Sequence, residues 1–384
     1  MHRFRTHLKL GLAACFALAG CSASDTSADA AAPSALSSQL SLTPVAEGLD
    51  YPWGLTFLPG DVILATERAG AVRVIENGAL REAPVAGTPE AYVVGQGGYL
   101  DIAADPDFAS NRTIYLSYSK GDDDENFTAV IKGVLSEDLS ELTNIETLFE
   151  TDYKKSRGLH FGSRFAFMDD GTLLFGLGDG FRYMDEAQSL ENHLGTVIRI
   201  NTDGGAPADN PFMETPGAQP EIFTYGHRNV QGLVVDPNSG VIYAHEHGPK
   251  GGDEINILKP GANYGWPVIT YGVNYNGTII TNETRREGME QPIVKWVPSI
   301  APSDMVMYQG DEYAEWSGDL LVSALAGQQI RRIDLEDGAV VSEEIVLKDD
   351  GLRFRDISVS PDGGIYVTTD DEGGGVYRLS RAAS

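Results

Sequence analysis

One pattern of polar and apolar positions recurs six times along the chain. Each copy is a turn rich in Gly, Asp, Asn, Ser or Pro, followed at once by a short run of mainly apolar residues. This order is typical of a turn that leads into a β-strand. The copies lie at 57–65 (FLPGDVILA), 105–117, 168–176 (MDDGTLLFG), 236–244 (DPNSGVIYA), 316–323 (WSGDLLVS) and 360–368 (SPDGGIYVT).

Several copies are followed after a short gap by a second apolar run, as at 71–75 (AVRVI), 329–333 and 375–379. Each unit is therefore predicted to be a β-meander. Antiparallel sheets repeated around an axis form a β-propeller, which leaves only short protected edges and a central channel. We predict an all-β fold, a six-bladed β-propeller of four-stranded antiparallel sheets. A strand near 42–45 is expected to pair with the last blade and close the ring.

The N-terminal 20 residues have the composition of a secretory signal. Three basic residues and no acidic ones precede an apolar run at 10–19 that is too short to span a bilayer. The segment 18–21 (LAGC) resembles the lipobox of bacterial lipoproteins, which implies cleavage before Cys21 and acylation of that residue. The alternative is an ordinary signal peptide and a freely diffusing secreted protein.

These features divide the chain into three parts. We predict a lipoprotein-type signal peptide at 1–20, an Ala/Ser-rich flexible tether at 21–40, and a single propeller domain at 41–384. The predicted location is the outer membrane of a Gram-negative bacterium, facing the periplasm, with the lipid anchor as the only membrane attachment.

The charge balance excludes one class of partner. The 384 residues include 28 Lys+Arg and 56 Asp+Glu, a formal charge of −28. Nucleic-acid binding needs a basic surface, so we expect no nucleic-acid partner. Both cysteines, Cys15 and Cys21, lie at the N-terminus, so the predicted propeller has no cysteine for a disulfide.

Two polar residues near the third repeat are candidates for catalysis. His160 lies in 158–164 (GLHFGSR), just before the repeat, and Asp179 lies in 176–180 (GLGDG), at the far end of the next strand. A hairpin between them brings both to one end of the same blade. An imidazole oriented by a carboxylate is a plausible general base. The alternative is a loop histidine capped by a turn aspartate.

Five further motifs occur in order: 95–101 (GQGGYLD), 225–232 (YGHRNVQG), 246–254 (EHGPKGGDE), 261–267 (GANYGWP) and 353–356 (RFRD). With the segment around His160, they resemble the PQQ-dependent sugar dehydrogenases of the soluble glucose dehydrogenase and aldose sugar dehydrogenase family. The resemblance extends from about residue 48 to residue 379. It implies oxidation of an aldose to a lactone, followed by electron transfer to a quinone or another acceptor.

The resemblance implies roles for four residues at the reacting centre. His160 matches the base that removes the proton from the anomeric hydroxyl while hydride passes to PQQ, and Asp179 matches the carboxylate that orients it. Arg228 and Asn229 match the pair that contacts the quinone oxygens. A guanidinium there would stabilise negative charge that develops on the reduced cofactor.

The same resemblance implies contacts to the rest of the cofactor. Gln96 matches a polar contact to cofactor and substrate, and Tyr275 matches an aromatic contact to the cofactor. Arg353 and Arg355 match residues that hold the cofactor carboxylates, for which the guanidinium fork is suited.

Calcium is the second cofactor that the resemblance implies. Gly248 and Pro249 match carbonyl donors to a Ca²⁺ ion that bridges cofactor and protein. Glu254 and the carbonyl of Tyr264 match a second, structural calcium site. All four donate oxygen, the ligand type that Ca²⁺ prefers.

One departure from the family leaves two other functions open. Ala326, in 323–327 (SALAG), stands where the family commonly has a lysine that reaches PQQ. One alternative is therefore a non-catalytic binding propeller. The other is a calcium-dependent lactonase in which the metal polarises a carbonyl, although that function leaves Arg353 and Arg355 unexplained.

Overall fold

The computed structural model describes residues 40–349 and 351–381, and these form six four-stranded antiparallel sheets arranged as blades of a ring. The prediction of an all-β, six-bladed propeller is confirmed. The predicted signal peptide and nearly all of the predicted tether lie outside the described residues. Within the described residues, no helix has the length and apolar character needed to cross a bilayer.

Each blade is a meander of strands that follow one another in the sequence, except the last. Blade 1 contains β2 (Pro52–Leu58), β3 (Val62–Glu67), β4 (Ala71–Glu76) and β5 (Ala79–Leu80); blade 2 contains β6 (Tyr99–Ala104), β7 (Thr113–Gly121), β8 (Asn126–Leu135) and β9 (Leu142–Glu150). Blade 3 contains β10 (Phe165–Phe167), β11 (Leu173–Gly176), β12 (Thr196–Ile200) and β13 (Ile222–Tyr225); blade 4 contains β14 (Val230–Val235), β15 (Ile242–Glu246), β16 (Asp253–Leu258) and β17 (Val294–Trp296). Blade 5 contains β18 (Pro302–Met307), β19 (Leu320–Ala324), β20 (Gln329–Glu336) and β21 (Ala339–Lys348); blade 6 contains β22 (Phe354–Val359), β23 (Ile365–Thr369), β24 (Glu372–Arg381) and β1 (Leu40–Asp50). The described helices are short: α1 (Phe108–Asn111) and two 3₁₀ turns at Met184–Gln188 and Ala314–Trp316.

The N-terminal strand closes the ring, as the sequence predicted. β1 is the outer strand of blade 6 and pairs with β24 from Leu40 opposite Arg381 to Asp50 opposite Glu372. Its side chains Leu40, Ala46 and Leu49 are buried. The first and last described strands are therefore held by the same sheet.

The hydrophobic core is divided among the contacts between neighbouring blades. Each pair of adjacent blades in the described chain shares one buried apolar cluster, and the ring is completed by the cluster between blades 6 and 1. Three of the four tryptophans occupy blade interiors or blade contacts: Trp53, Trp296 and Trp316. A propeller thus buries many small cores instead of one large one, which accommodates a domain of this length.

The first strand of every blade lines a central channel of about 340 Å³. Because each blade is an antiparallel meander, the loops that precede first strands and those that follow second strands open on one face. His160, Gln96, Arg228 and Arg353 precede first strands, and Asp179 follows a second strand. The topology therefore gathers residues distant in sequence at one mouth of the ring, which we call the site face.

Candidate active site

His160 and Asp179 form a buried hydrogen-bonded pair at the site face. The Nδ1 atom of His160 lies 2.6 Å from Oδ1 of Asp179, and the two residues are 4% and 0% exposed. A carboxylate can only accept a hydrogen bond, so Nδ1 carries the proton and Nε2 carries the lone pair. The structure therefore brings together the two residues that the sequence paired, in the tautomer that a base requires.

The backbone segments that carry His160 and Asp179 pass very close to each other. His160 has a φ of 50°, in the left-handed region, and a Cβ atom on Gly178 would lie 2.3 Å from the His160 carbonyl oxygen. Only glycine fits at 178 without displacing the base. The carboxylate of Asp179 also accepts hydrogen bonds from the Phe181 amide at 2.7 Å and from Nε1 of Trp266 at 2.8 Å.

Burial and neighbouring charges set the protonation of the pair. Burial lowers the pKa of His160, and Arg228 and Lys155 lower it further, against the opposing effect of Asp179. Burial alone would raise the pKa of Asp179, but the hydrogen bond and charge of His160, with Arg228, bring that pKa below its usual value. The imidazole is therefore neutral, and the carboxylate ionised, near neutral pH.

Arg228 and Asn229 lie beside the pair, just before β14. The guanidinium of Arg228 donates to the carbonyls of His247 at 3.1 Å and Gly248 at 2.7 Å. Oδ1 of Asn229 accepts from the Gly162 amide at 3.2 Å, so its Nδ2 is the atom that can donate to a ligand. Hydrogen bonds within the protein therefore fix the positions of both residues that are predicted to contact the cofactor.

The other predicted cofactor contacts are at the same mouth. Oε1 of Gln96 accepts from the His160 amide at 2.7 Å, while the Tyr275 ring is 62% exposed and 6.0 Å from the Arg228 guanidinium carbon. Arg353 and Arg355 approach the two oxygens of Asp370 at 3.3 and 3.4 Å. The predicted contacts therefore surround one opening.

The residues at this opening fit a flat, polycarboxylate cofactor such as PQQ. A cavity of about 440 Å³ is lined by Arg228, Trp266, Tyr275 and Pro249, among others. Nε of Arg355 is buried and has no hydrogen-bond partner among the described residues. A buried guanidinium N–H without an acceptor is costly, and a ligand carboxylate would supply the missing acceptor. Ala326 is exposed in the turn after β19, and its methyl group offers no charge.

The predicted calcium donors lie around two adjoining cavities. Pro249 lines the cavity described above. Gly248, Glu254 and Tyr264 line a small cavity of about 20 Å³, which also includes Glu246. A cavity of that size holds one ion or one water molecule. Arg228 and Trp266 line both cavities.

Two carboxyl groups and one guanidinium, from Glu246, Glu254 and Arg228, meet at the small cavity. Burial raises the pKa of Glu254 to about 8, and the nearby carboxylate of Glu246 raises it as well. No group of three or more His, Cys, Asp or Glu side chains in the described chain could hold a metal. A Ca²⁺ ion at this site would therefore need backbone oxygens, which is consistent with the predicted Tyr264 carbonyl.

Sequence reasoning missed the residues that orient Arg228. Glu246 accepts from the Arg228 backbone amide at 2.5 Å and lies 2.9 Å from Nδ1 of His227. The ring of His227 stacks on that of Tyr264, with centroids 4.6 Å apart. No pattern in the sequence indicated the part that Glu246 plays. Trp266 is also buried, and it donates to Asp179 as described above.

A second unforeseen group lies in the channel below the site. The side chain of Arg164 contacts Asp101 at 3.1 Å, Asp304 at 3.0 Å and Asp356 at 2.7 Å, and its guanidinium lies 4.3 Å from the Trp53 ring centre. The four charged residues come from blades 2, 3, 5 and 6 or the loop that leads into them. We call this group the channel cluster. Asp101 and Asp356 belong to motifs that the sequence singled out, but nothing local indicated that they share one arginine.

Comparison with known proteins reveals an extensive similarity. The family model described as glucose / sorbosone dehydrogenase matches residues 49–378. The chain is 42% identical to the aldose sugar dehydrogenase YliI of Escherichia coli over 337 residues, which cover 86% of this chain and 90% of that protein. It is 28% identical to the quinoprotein glucose dehydrogenase B of Acinetobacter calcoaceticus over 415 residues, covering 86% and 85% of the two chains.

Solved structures give the same result. The apo form of the soluble aldose sugar dehydrogenase from Escherichia coli superposes with a TM-score of 0.86 at 39% identity, covering 89% of this chain and 99% of that one. The PQQ-bound form of an aldose sugar dehydrogenase from Streptomyces coelicolor superposes with a TM-score of 0.74 at 27% identity, covering 91% and 99%.

Proposed function

The chain belongs to the glucose / sorbosone dehydrogenase family, and on that premise we propose that it is a PQQ- and calcium-dependent oxidoreductase that converts aldoses to lactones. The observation that carries this proposal is the 2.6 Å contact between His160 and Asp179, next to Trp266, which donates to Asp179 and lines the cavity together with Arg228. Relatives named as an aldose sugar dehydrogenase and a quinoprotein glucose dehydrogenase support the same reaction class.

His160 acts as the general base. Its Nε2 accepts the proton of the anomeric hydroxyl while the anomeric carbon gives up its hydrogen as hydride to a bound two-electron oxidant, so that a lactone carbonyl forms. Asp179 holds the ring in the required tautomer and stabilises the imidazolium that results. Because the pair is buried, the proton passes to the base instead of to bulk water.

The remaining residues of the site bind and orient the cofactor. PQQ, when bound, would supply the two-electron oxidant. Arg228 and Asn229 would donate a guanidinium and an amide N–H to its quinone oxygens, and Arg353 and Arg355 would hold its carboxylates. Gly248 and Pro249 would offer carbonyl oxygens to calcium. A quinone or another electron carrier would then accept the electrons.

The test is reconstitution of the purified protein with PQQ and Ca²⁺, followed by dye reduction with a panel of aldoses. The His160→Asn variant should lose about 10²-fold to 10⁴-fold in kcat, because general-base catalysis contributes that much, yet still bind PQQ. His193→Asn is the matched control, since His193 is also buried between two acidic side chains, Asp152 and Glu221, but lies outside the site. Wild-type protein that fails to bind micromolar PQQ would rule out this function.

The membrane attachment is a separate part of the proposal. We infer acylation at Cys21 from the lipobox-like segment 18–21. β1 begins at Leu40, opposite Arg381, and ends at Asp50, near the loop that carries Asp370. The predicted tether therefore joins the propeller at the start of β1, on the face opposite the site face. Incorporation of labelled palmitate that disappears in Cys21→Ala would support the anchor; equal labelling of both proteins would refute it.

A further inference from the structure

Lys155 is buried next to the His160–Asp179 pair, and the function proposed above gives it no role. Lys155 is 2% exposed. Its Nζ donates to Oδ1 of Asn126 at 3.0 Å and to the Leu159 carbonyl at 2.8 Å, and it lies 3.3 Å from the centre of the Phe161 ring. Two acceptors and one aromatic face match the three N–H bonds of an ammonium group.

These contacts hold the backbone on both sides of the base. Leu159 and Phe161 flank His160, whose left-handed φ of 50° depends on the surrounding loop. A non-glycine residue adopts that conformation only where its neighbours enforce it. The hydrogen bond from Lys155 to the Leu159 carbonyl is one such restraint, made at the residue just before the base.

Lys155 also contacts the segment that carries the carboxylate. A Cβ atom on Gly180, the residue after Asp179, would lie 2.7 Å from Cδ of Lys155. The lysine stem therefore packs beside the residue that follows Asp179, while its ammonium group binds the carbonyl of the residue that precedes His160. Its own backbone is fixed by paired hydrogen bonds with Asn126, at 2.7 and 3.0 Å.

Three charged side chains act on the imidazole of His160. Asp179 faces it as an anion, and Arg228 and Lys155 face it as cations that lower its pKa. Burial lowers the pKa of Lys155 to about 7, against the charge of Asp179. Lys155 is therefore protonated in the acidic range where His160 takes up its proton.

Two phenols complete the surroundings of Lys155. Tyr153 lines the same small cavity as Lys155 and His160, and Tyr183 lies against Gly180. Burial raises the pKa of Tyr153 above the ordinary phenol value near 10, and hydrogen bonds with Ser156 lower the pKa of Tyr183. The pKa of His160 lies below the ordinary histidine value, in a range where phenols are neutral.

We propose that Lys155 is a positioning residue for His160, which fixes the loop that aims the imidazole and, by its positive charge, keeps that imidazole neutral. This role rests on the proposed function only in so far as His160 is the base. The placement of the lysine itself can be tested without turnover.

The first measurement is the pKa of His160 in the full-length protein without cofactor. NMR titration of the imidazole ¹³Cε1 signal, assigned by its loss in His160→Asn, gives this value. Lys155→Met should raise the pKa of His160, because a positive charge beside the imidazolium is removed. Lys155→Arg keeps the charge and should leave that pKa near the wild-type value. If Lys155→Met does not fold, Lys155→Gln, which is uncharged and keeps a donor, replaces it.

Lys154→Met is the matched control. Lys154 lies in the same loop, and its Nζ also sits over an aromatic ring, 3.0 Å from the centre of Phe127, but it bonds the Thr151 carbonyl at 3.3 Å. It should leave the pKa of His160 unchanged. The proposal is overturned if removing the charge at 155 does not shift that pKa, if Lys154→Met shifts it equally, or if Lys155→Arg shifts it as much as Lys155→Met.

Kinetics of the PQQ-loaded enzyme give the second measurement. In Lys155→Met the acid limb of kcat/KM should move to higher pH, and kcat on the plateau should fall by about tenfold to a hundredfold, since misplacement by about 1 Å can cost that much. Wild-type turnover with unchanged profiles in Lys155→Met would refute the role of the lysine alone. Absence of turnover in the wild type would refute the proposed function and leave the NMR comparison as the test of Lys155.

Discussion

The channel cluster makes a sharp prediction about stability. Arg164→Met removes the cation shared by Asp101, Asp304 and Asp356 and leaves three carboxyl groups with at most 6% side-chain exposure. At an effective dielectric constant of about 20, one pair of opposite charges about 4 Å apart is worth about 4 kcal/mol. Desolvation and repulsion among the carboxylates offset much of that attraction. Removal of one partner from a buried ion pair typically costs about 3–5 kcal/mol, which is the loss we expect here.

The loss should depend on pH. Burial raises the pKa of Asp101 to about 6, and burial with the neighbouring carboxylates raises the pKa of Asp304 well above its usual value. The native state thus binds protons that the unfolded chain releases, so the stability contributed by these protons falls as the pH rises through that range. Without Arg164 the carboxyl groups can be neutralised only by protons. The variant should therefore lose more stability at about pH 8 than at about pH 5.5.

Urea unfolding at both pH values measures the effect as a change in midpoint at constant m-value. Addition of Asp304→Asn to Arg164→Met should restore part of the loss, because it removes one repulsive charge. The control is Arg286→Met, whose partner Glu283 is about as exposed as Arg286 itself, at 47% and 45%. That variant should lose at most about 1 kcal/mol. An Arg164→Met variant that loses no more than this control, or equal amounts at both pH values, would refute the reasoning.

Three further outcomes are expected. Deletion of residues 40–50 removes the outer strand of blade 6 and should lower the melting temperature sharply, as followed by circular dichroism; a neutral deletion would mean that β1 does not close the ring. Ca²⁺ should raise the melting temperature more at about pH 9 than at about pH 7. The reason is that burial raises the pKa of Glu254 to about 8, and a bound metal needs the ionised carboxylate. If Ca²⁺ raises the melting temperature of Glu254→Gln as much as that of the wild type, the ion binds elsewhere. Arg355→Ala should weaken PQQ binding in a fluorescence titration by about tenfold or more, since a charge-assisted hydrogen bond is worth about 1.5–3 kcal/mol; unchanged affinity would show that the buried Nε does not face the cofactor.

The blades could be predicted from the sequence because their signals are local. Each turn-and-strand unit lies within about ten residues, and the match between the strand at 42–45 and the last blade follows from the need to cover an edge. His160 and Asp179 were predictable for a related reason. They are joined by one hairpin, so a short stretch of chain determines their separation.

The rest of the site depends on tertiary packing. Lys154 and Lys155 are adjacent in 152–156 (DYKKS), and no local pattern distinguishes the one that is buried from its neighbour. Lys155 is the buried one because it contacts Phe161 and Gly180 in the folded chain. Arg164 and Asp356 are 192 positions apart, and only the radial arrangement of first strands brings them within 2.7 Å.

The pairing of β1 with β24 has a consequence for biosynthesis. Of the described strands, the ribosome makes β1 first and its hydrogen-bonded partner β24 last. β1 can therefore pack against blade 1 early, but it has no strand to pair with until nearly the whole chain has emerged. Blades 1 to 5 can assemble in order during synthesis, but the ring stays an open arc until that final strand arrives. During that interval the exposed margin of β1 is available to other chains, and a chaperone that shields it would act on the step that decides between a closed monomer and an aggregate.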